Sequence, residues 1–161
     1  MSYRTDILAE AEGRAPITMY HQVYAAIWKR HGLNEAAEDF WQRVFEALSP
    51  GERAFILAHE FFCSFGEGGY ERYFLEKDGY TRAHEAVRLF RQVGLIQAAD
   101  SLQKAVEAAS IPEPLPEGYK YAASPNAALE EAEQAYRRVR TCEDFEGTLV
   151  NYFKEHVDDF A

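Results

Sequence analysis

The stretch His59–Leu95, HEFFCSFGEGGYERYFLEKDGYTRAHEAVRLFRQVGL, decides the fold. Its apolar residues recur at helical spacing, and its glycines fall between helical runs. A helix that is apolar on most sides is expected to end at Gly66. Gly68-Gly69 then reads as a tight turn that needs a positive φ. Tyr70–Leu75 follows as an aromatic-rich half-helix in which Tyr70, Tyr73 and Phe74 share a face. The next helix, opened by a Thr81 cap and closed by Gly94, buries Ala83, Ala86, Val87 and Phe90.

Upstream, Ser49-Pro50-Gly51-Glu52 has the spacing of a capping box, with Ser at the N-cap, Pro at the first helical position and Glu three residues on. It starts the central helix, whose Phe55, Ile56, Leu57, Ala58, Phe61, Phe62 and Phe65 cover most of the helical wheel. Before it, a helix capped by Asn34 buries Ala37, Phe40, Trp41, Val44, Phe45 and Leu48. An earlier one carries the stripe Ile17, Tyr20, Val23, Tyr24, Ile27 and Trp28 and stops at Gly32. Residues 4–12 read as a short charged helical lead-in.

Downstream, Ile96, Ala99, Leu102, Val106 and Ala109 form another stripe. Residues 111–124 carry Pro112, Pro114 and Pro116, which favour extended chain. They are expected to run as a surface strap with Tyr119 and Tyr121 tucked in. Ser124-Pro125 opens a further helix with Ala128, Leu129, Ala132, Ala135, Tyr136 and Val139 inside, and a last helix spans about Glu143 to Phe160. No strand-length stretch alternates. The expectation is therefore all-α: a single domain over residues 1–161, built as a bundle of roughly eight or nine short helices.

The chain carries 27 carboxylates against 17 Lys and Arg, a formal net charge of −10. Such a field repels nucleic acid and anionic membranes, so the expected partners are basic proteins or cations, with no direct nucleic-acid binding. The first residues are charged throughout and lack the apolar core of a signal peptide, and no apolar run is long enough to span a bilayer. The two cysteines, Cys63 and Cys142, show no metal-site or disulfide-framework spacing, which suits a reducing cytoplasm.

Few residues suggest chemistry. His59-Glu60 followed by Cys63 is an incomplete zinc motif, because the second His that would share the metal is replaced by Cys. A His59–Cys63 nucleophile pair is possible at i, i+4. The flanking Phe62 and Phe65 favour an inert, buried, unliganded thiol instead. His84-Glu85 and Glu155-His156 are neighbours that point to different helix faces. Gly66-Glu67-Gly68-Gly69 follows a helix and lacks the Lys-Ser/Thr of a phosphate loop. No metal, cofactor or catalytic residue is expected.

The acidic C-terminal segment says more. On a helical wheel Phe145, Leu149, Tyr152, Phe153, His156 and Phe160 lie within one arc of about 100°. Asp144, Glu155 and Asp158 lie opposite, flanked by Glu143 and Asp159. The residues from Glu143 to Ala161 hold six carboxylates and one Lys. Carboxylates at i and i+3 or i+4 repeat every ~5–6 Å along a helix, while phosphates advance ~3.4 Å each along one DNA strand. Such a face, extended by Glu130 and Glu131 of the preceding helix, can roughly imitate one edge of a duplex. Glu133 is expected to pair with Arg137 at i+4.

The run Gly68–Leu95 resembles the signature of the small acidic bacterial DNA-mimic proteins and their uncharacterised relatives. Gly68, Gly69 and Tyr70 match its Gly-Gly-aromatic turn, Tyr73 and Phe74 its aromatic pair, and Gly94 its closing glycine. Glu67 stands where the family has Asn before the glycine pair, and Glu76 lies where a second Asn is expected. The resemblance implies an all-helical homodimer that imitates DNA and occupies the DNA-binding surface of a partner such as a transcription regulator, without catalysis. Two other readings stay open: an immunity-type or other protein–protein module, and a small metal- or Cys/His-dependent enzyme using His59, Glu60, Cys63, His84 and His156.

Overall fold

The computed structural model describes residues 15–32 and 40–160. Among them it is all-α, with no strand. Seven α-helices are present: α1 (Pro16–His31), α2 (Phe40–Ala47), α3 (Pro50–Leu75), α4 (Ala83–Val93), α5 (Ile96–Ala108), α6 (Ala127–Val139) and α7 (Phe145–Glu155). Three 3-10 segments, Glu76–Arg82, Arg140–Cys142 and Val157–Phe160, complete the set. The expected 4–12 lead-in, the Asn34 cap and Ala37 lie outside the described residues. So do the side chains of Phe40, Trp41 and Asp159. The helices gather into two compact units, one of residues 1–56 with 144–161 and one of residues 57–143.

In the first unit α1 packs on α7. Tyr20 stacks on Phe55 and meets Phe145 edge-on, at ring distances of 5.9 and 5.3 Å. Phe160 closes over Phe55 and Phe153 at 5.5 and 4.9 Å, in the edge-to-face geometry that ring quadrupoles favour. The ring of Phe160 needs the absence of a side chain at Gly51, where a Cβ would come within 2.6 Å of it. The expected capping box forms: Ser49 N donates to Glu52 Oε2 at 2.8 Å and Glu52 N to Ser49 Oγ at 3.4 Å. Glu52 is nevertheless 2% exposed, because its second oxygen faces His31 Nε2 at 3.0 Å. The box thus also ties the end of α1 to the start of α3. Arg53 serves the C-terminus of α2 by donating to the Leu48 and Glu46 carbonyls.

The second unit is organised around Phe61. Its ring lies 5.1–6.1 Å from those of Phe65, Tyr70, Tyr73, Phe90 and Tyr136. Tyr70 hydrogen-bonds Ser101 through its hydroxyl, inside the core. Burial pushes the Tyr70 phenol well above its ordinary value. The segment after α5 is held by ring and hydrogen-bond contacts. Phe74 meets Tyr121 edge-on at 5.3 Å, and Tyr80 donates to the Tyr119 carbonyl. Its first residues are held by His84 and Arg88: His84 Nε2 donates to the Ile111 carbonyl, and both side chains face Glu113.

Several expectations are corrected. Cys63, expected to be buried, is exposed, about 200° from Phe61 on α3 and away from the ring cluster. Thr81 does not cap α4: residues 76–82 are 3-10, and Thr81 Oγ1 donates back to the Asp78 carbonyl. Asn126, not Ser124, caps α6, accepting from Leu129 N while its amide donates to the Ala108 carbonyl that α5 leaves open. The last helix stops at Glu155, and His156, expected in the apolar arc, is exposed. Ile17, Ile96, Ala128, Ala135 and Val139 are exposed as well, each near a helix end or on a flank of its stripe.

Candidate acidic interface

The Gly-Gly turn sets the geometry of the 57–143 unit. Gly68 and Gly69 leave the helical region inside α3, with Gly69 at φ 72°, ψ −158°, a conformation essentially reserved for glycine. The backbone N–H of Tyr70 follows directly on this break. It donates to Glu133 Oε2 at 3.2 Å. The same carboxylate pairs with Arg137 at 2.9 Å, as expected from the i, i+4 spacing. An anion at the start of a helical segment also suits the dipole there.

A cleft of about 370 Å³ opens beside this turn. Gly68, Glu71, residues 123–126, Leu129, Glu130 and Glu133 line it. Glu71 and Glu130 are exposed on its walls, and neither makes an ion pair among the described residues. Glu131 is exposed on the same helix. Sequence reading missed Glu71. The only available signal was its position one residue after the Gly-Gly-aromatic turn.

The structure separates the candidate carboxylates by what they touch. Glu143 is half-buried. It accepts from Gln97 N at 2.9 Å and Ala98 N at 3.1 Å, serving as the N-terminal cap of α5, where Leu95 offers no side-chain acceptor. The Tyr136 hydroxyl also donates to it. Burial pushes the Glu143 carboxyl above the ordinary range, against the pull of these three donors. Asp144 is exposed and caps α7 through Gly147 N at 3.0 Å. Glu155 and Asp158 are exposed in the 144–161 segment. Asp158 sits on the 3-10 turn rather than on the α7 wheel.

Among the described residues, no three His, Cys, Asp or Glu side chains are placed to hold a metal ion. His84 is taken up by the strap, and His59 lies 3.6 Å from Cys63. No helix of the described residues is long and apolar enough to cross a membrane.

A family model described as DMP19-like protein matches residues 46–156, and the chain belongs to that family. The matched span begins just before the capping box and ends just after α7. No curated protein and no solved structure matches the chain.

Proposed function

We propose that this protein is an acidic DNA mimic, a non-catalytic binding protein that competes with DNA for a basic DNA-binding partner such as a transcription regulator. The observation that carries this reading is the set of exposed carboxylates that make no ion pair among the described residues, Glu71, Glu130 and Glu131 in one unit and Glu155 in the other. They stand in a chain of net charge −10 that belongs to the DMP19-like family. Carboxylates already engaged in caps, Glu143 and Asp144, still add to the negative field at the surface. A negative surface on either unit attracts a DNA-binding surface by the same charge that DNA uses and leaves no room for both. The likeness to DNA-mimic proteins also supports a homodimer as the working form.

The test starts from capture of partners on immobilised protein, with mass spectrometry of what is held. A fluorescent duplex bound to a captured DNA-binding protein should then be displaced by the wild-type chain, less effectively as salt rises. Two triple variants probe the carboxylates: Glu71→Gln with Glu130→Gln and Glu131→Gln, and Asp144→Asn with Glu155→Gln and Asp158→Asn. Loss of about tenfold in affinity for at least one triple is expected, at roughly 0.5–1 kcal/mol per contact. A ternary complex with DNA, or unchanged affinity of both triples at low salt, overturns the reading.

A further inference from the structure

Cys63 is the side chain whose environment differs most from expectation, and nothing in the proposed binding function uses it. It lies on α3 four residues after His59, so the two share a helix face one turn apart. Cys63 Sγ is 3.6 Å from His59 Nε2, within hydrogen-bonding range for sulfur. The thiol is exposed, while the imidazole is half-buried. The sulfur is thus reachable from solvent, with the imidazole beside it on the same helix face. Cys142 is exposed too, but makes no hydrogen bond among the described residues.

We propose that His59 and Cys63 form a base-assisted thiol, a site of reversible mixed-disulfide formation with small uncharged or cationic disulfides. His59 Nε2 accepts the Cys63 proton as Sγ attacks one sulfur of the incoming disulfide. The new bond joins Sγ to that sulfur, and the incoming S–S bond breaks. The departing thiolate takes up the proton and leaves as a thiol. Cys63 is oxidised and the disulfide is its oxidant, so no further electron acceptor is needed. Reduction by a free thiol reverses the step. The net charge of −10 disfavours anionic disulfides at this surface, which sets the class of reagent.

The experiment follows release of 4-thiopyridone from the neutral reagent 4,4′-dithiodipyridine at pH 7, using the full chain. With Cys142→Ser the Cys63 thiol is read alone, and with Cys63→Ser the Cys142 thiol is read alone. Cys63 is expected to react about tenfold faster or more than Cys142. Adding His59→Gln to Cys142→Ser should bring Cys63 to within about twofold of Cys142. Circular dichroism establishes that this variant is folded. Equal rates for Cys63 and Cys142, or an unchanged rate in a folded His59→Gln variant, would each overturn the proposal.

Discussion

The carboxylate of Glu133 accepts the backbone N–H of Tyr70 across 63 residues of chain, at 3.2 Å. This contact closes the helix end created by the Gly68-Gly69 break and fixes α6 against the turn. A Cβ at Gly69 would fall 1.9 Å from Glu133 Oε2, and the φ of 72° is itself hostile to one. Gly69→Ala is therefore expected to destabilise the protein by about 1 kcal/mol or more, up to ~3. Urea unfolding measures it. A loss within error of zero would mean the turn adopts another conformation.

Removing the carboxylate separates the two causes. Glu133→Ala gives up the bond to Tyr70 N and the pair with Arg137, for a loss of about 1–2 kcal/mol. It also empties the space that a residue-69 side chain would enter. Gly69→Ala should then cost less in the Glu133→Ala background than in the wild type, with a coupling of about 0.5 kcal/mol or more. Strict additivity would show that backbone strain alone sets the cost at Gly69.

Glu143 gives a pH signature. Its folded carboxyl is raised above the ordinary value, chiefly by burial. A raised carboxyl binds its proton more tightly in the folded chain than in the unfolded one. Its contribution is therefore fully present below the unfolded value and lost as pH rises through the folded value. Glu143→Gln keeps an oxygen for Gln97 N and Ala98 N and cannot titrate. The wild type should gain stability relative to Glu143→Gln as pH is lowered from 7 into the carboxylate range. Unfolding curves of the two proteins across that range test it, and a constant difference would contradict it.

Asp144 tests capping against charge. Asparagine preserves the acceptor for Gly147 N, whereas alanine removes it. Asp144→Asn should leave stability nearly unchanged, and Asp144→Ala should cost about 1 kcal/mol. Equal losses in thermal or urea unfolding would assign the role to charge alone.

For the homodimer, sedimentation at tens of micromolar should give about twice the monomer mass. A monomer alone at that concentration would remove the dimer from the proposal.

What could be read in advance follows from range. The Ser49–Glu52 capping box, the positive φ at Gly69 and the Glu133–Arg137 pair depend on residues within a turn of one another, and all three are present. The strap tyrosines were legible because proline forbids helix and leaves the rings to find the core. Glu143 and the Glu133–Tyr70 bond were not legible, since their partners lie 45 and 63 residues away. The exposure of Cys63 was hidden by the phenylalanines that flank it in sequence, because position 63 falls on the side of α3 away from Phe61. The acidic residues themselves were plain in the sequence. Which of them close helices and which stay free depends on packing between helices.

The capping carboxylates constrain how this chain can vary. Glu133, Glu143, Asp144 and Glu52 each accept from a backbone N–H where a helical segment begins, so a substitution there keeps the bond only with an acceptor of similar reach. Glu71, Glu130, Glu131 and Glu155 have no such duty, and the surface can be redrawn there at little cost to folding. Under the proposed binding role, changes confined to these outer acids would alter the charge offered to a partner, while the inner ones, indistinguishable by charge, hold the architecture.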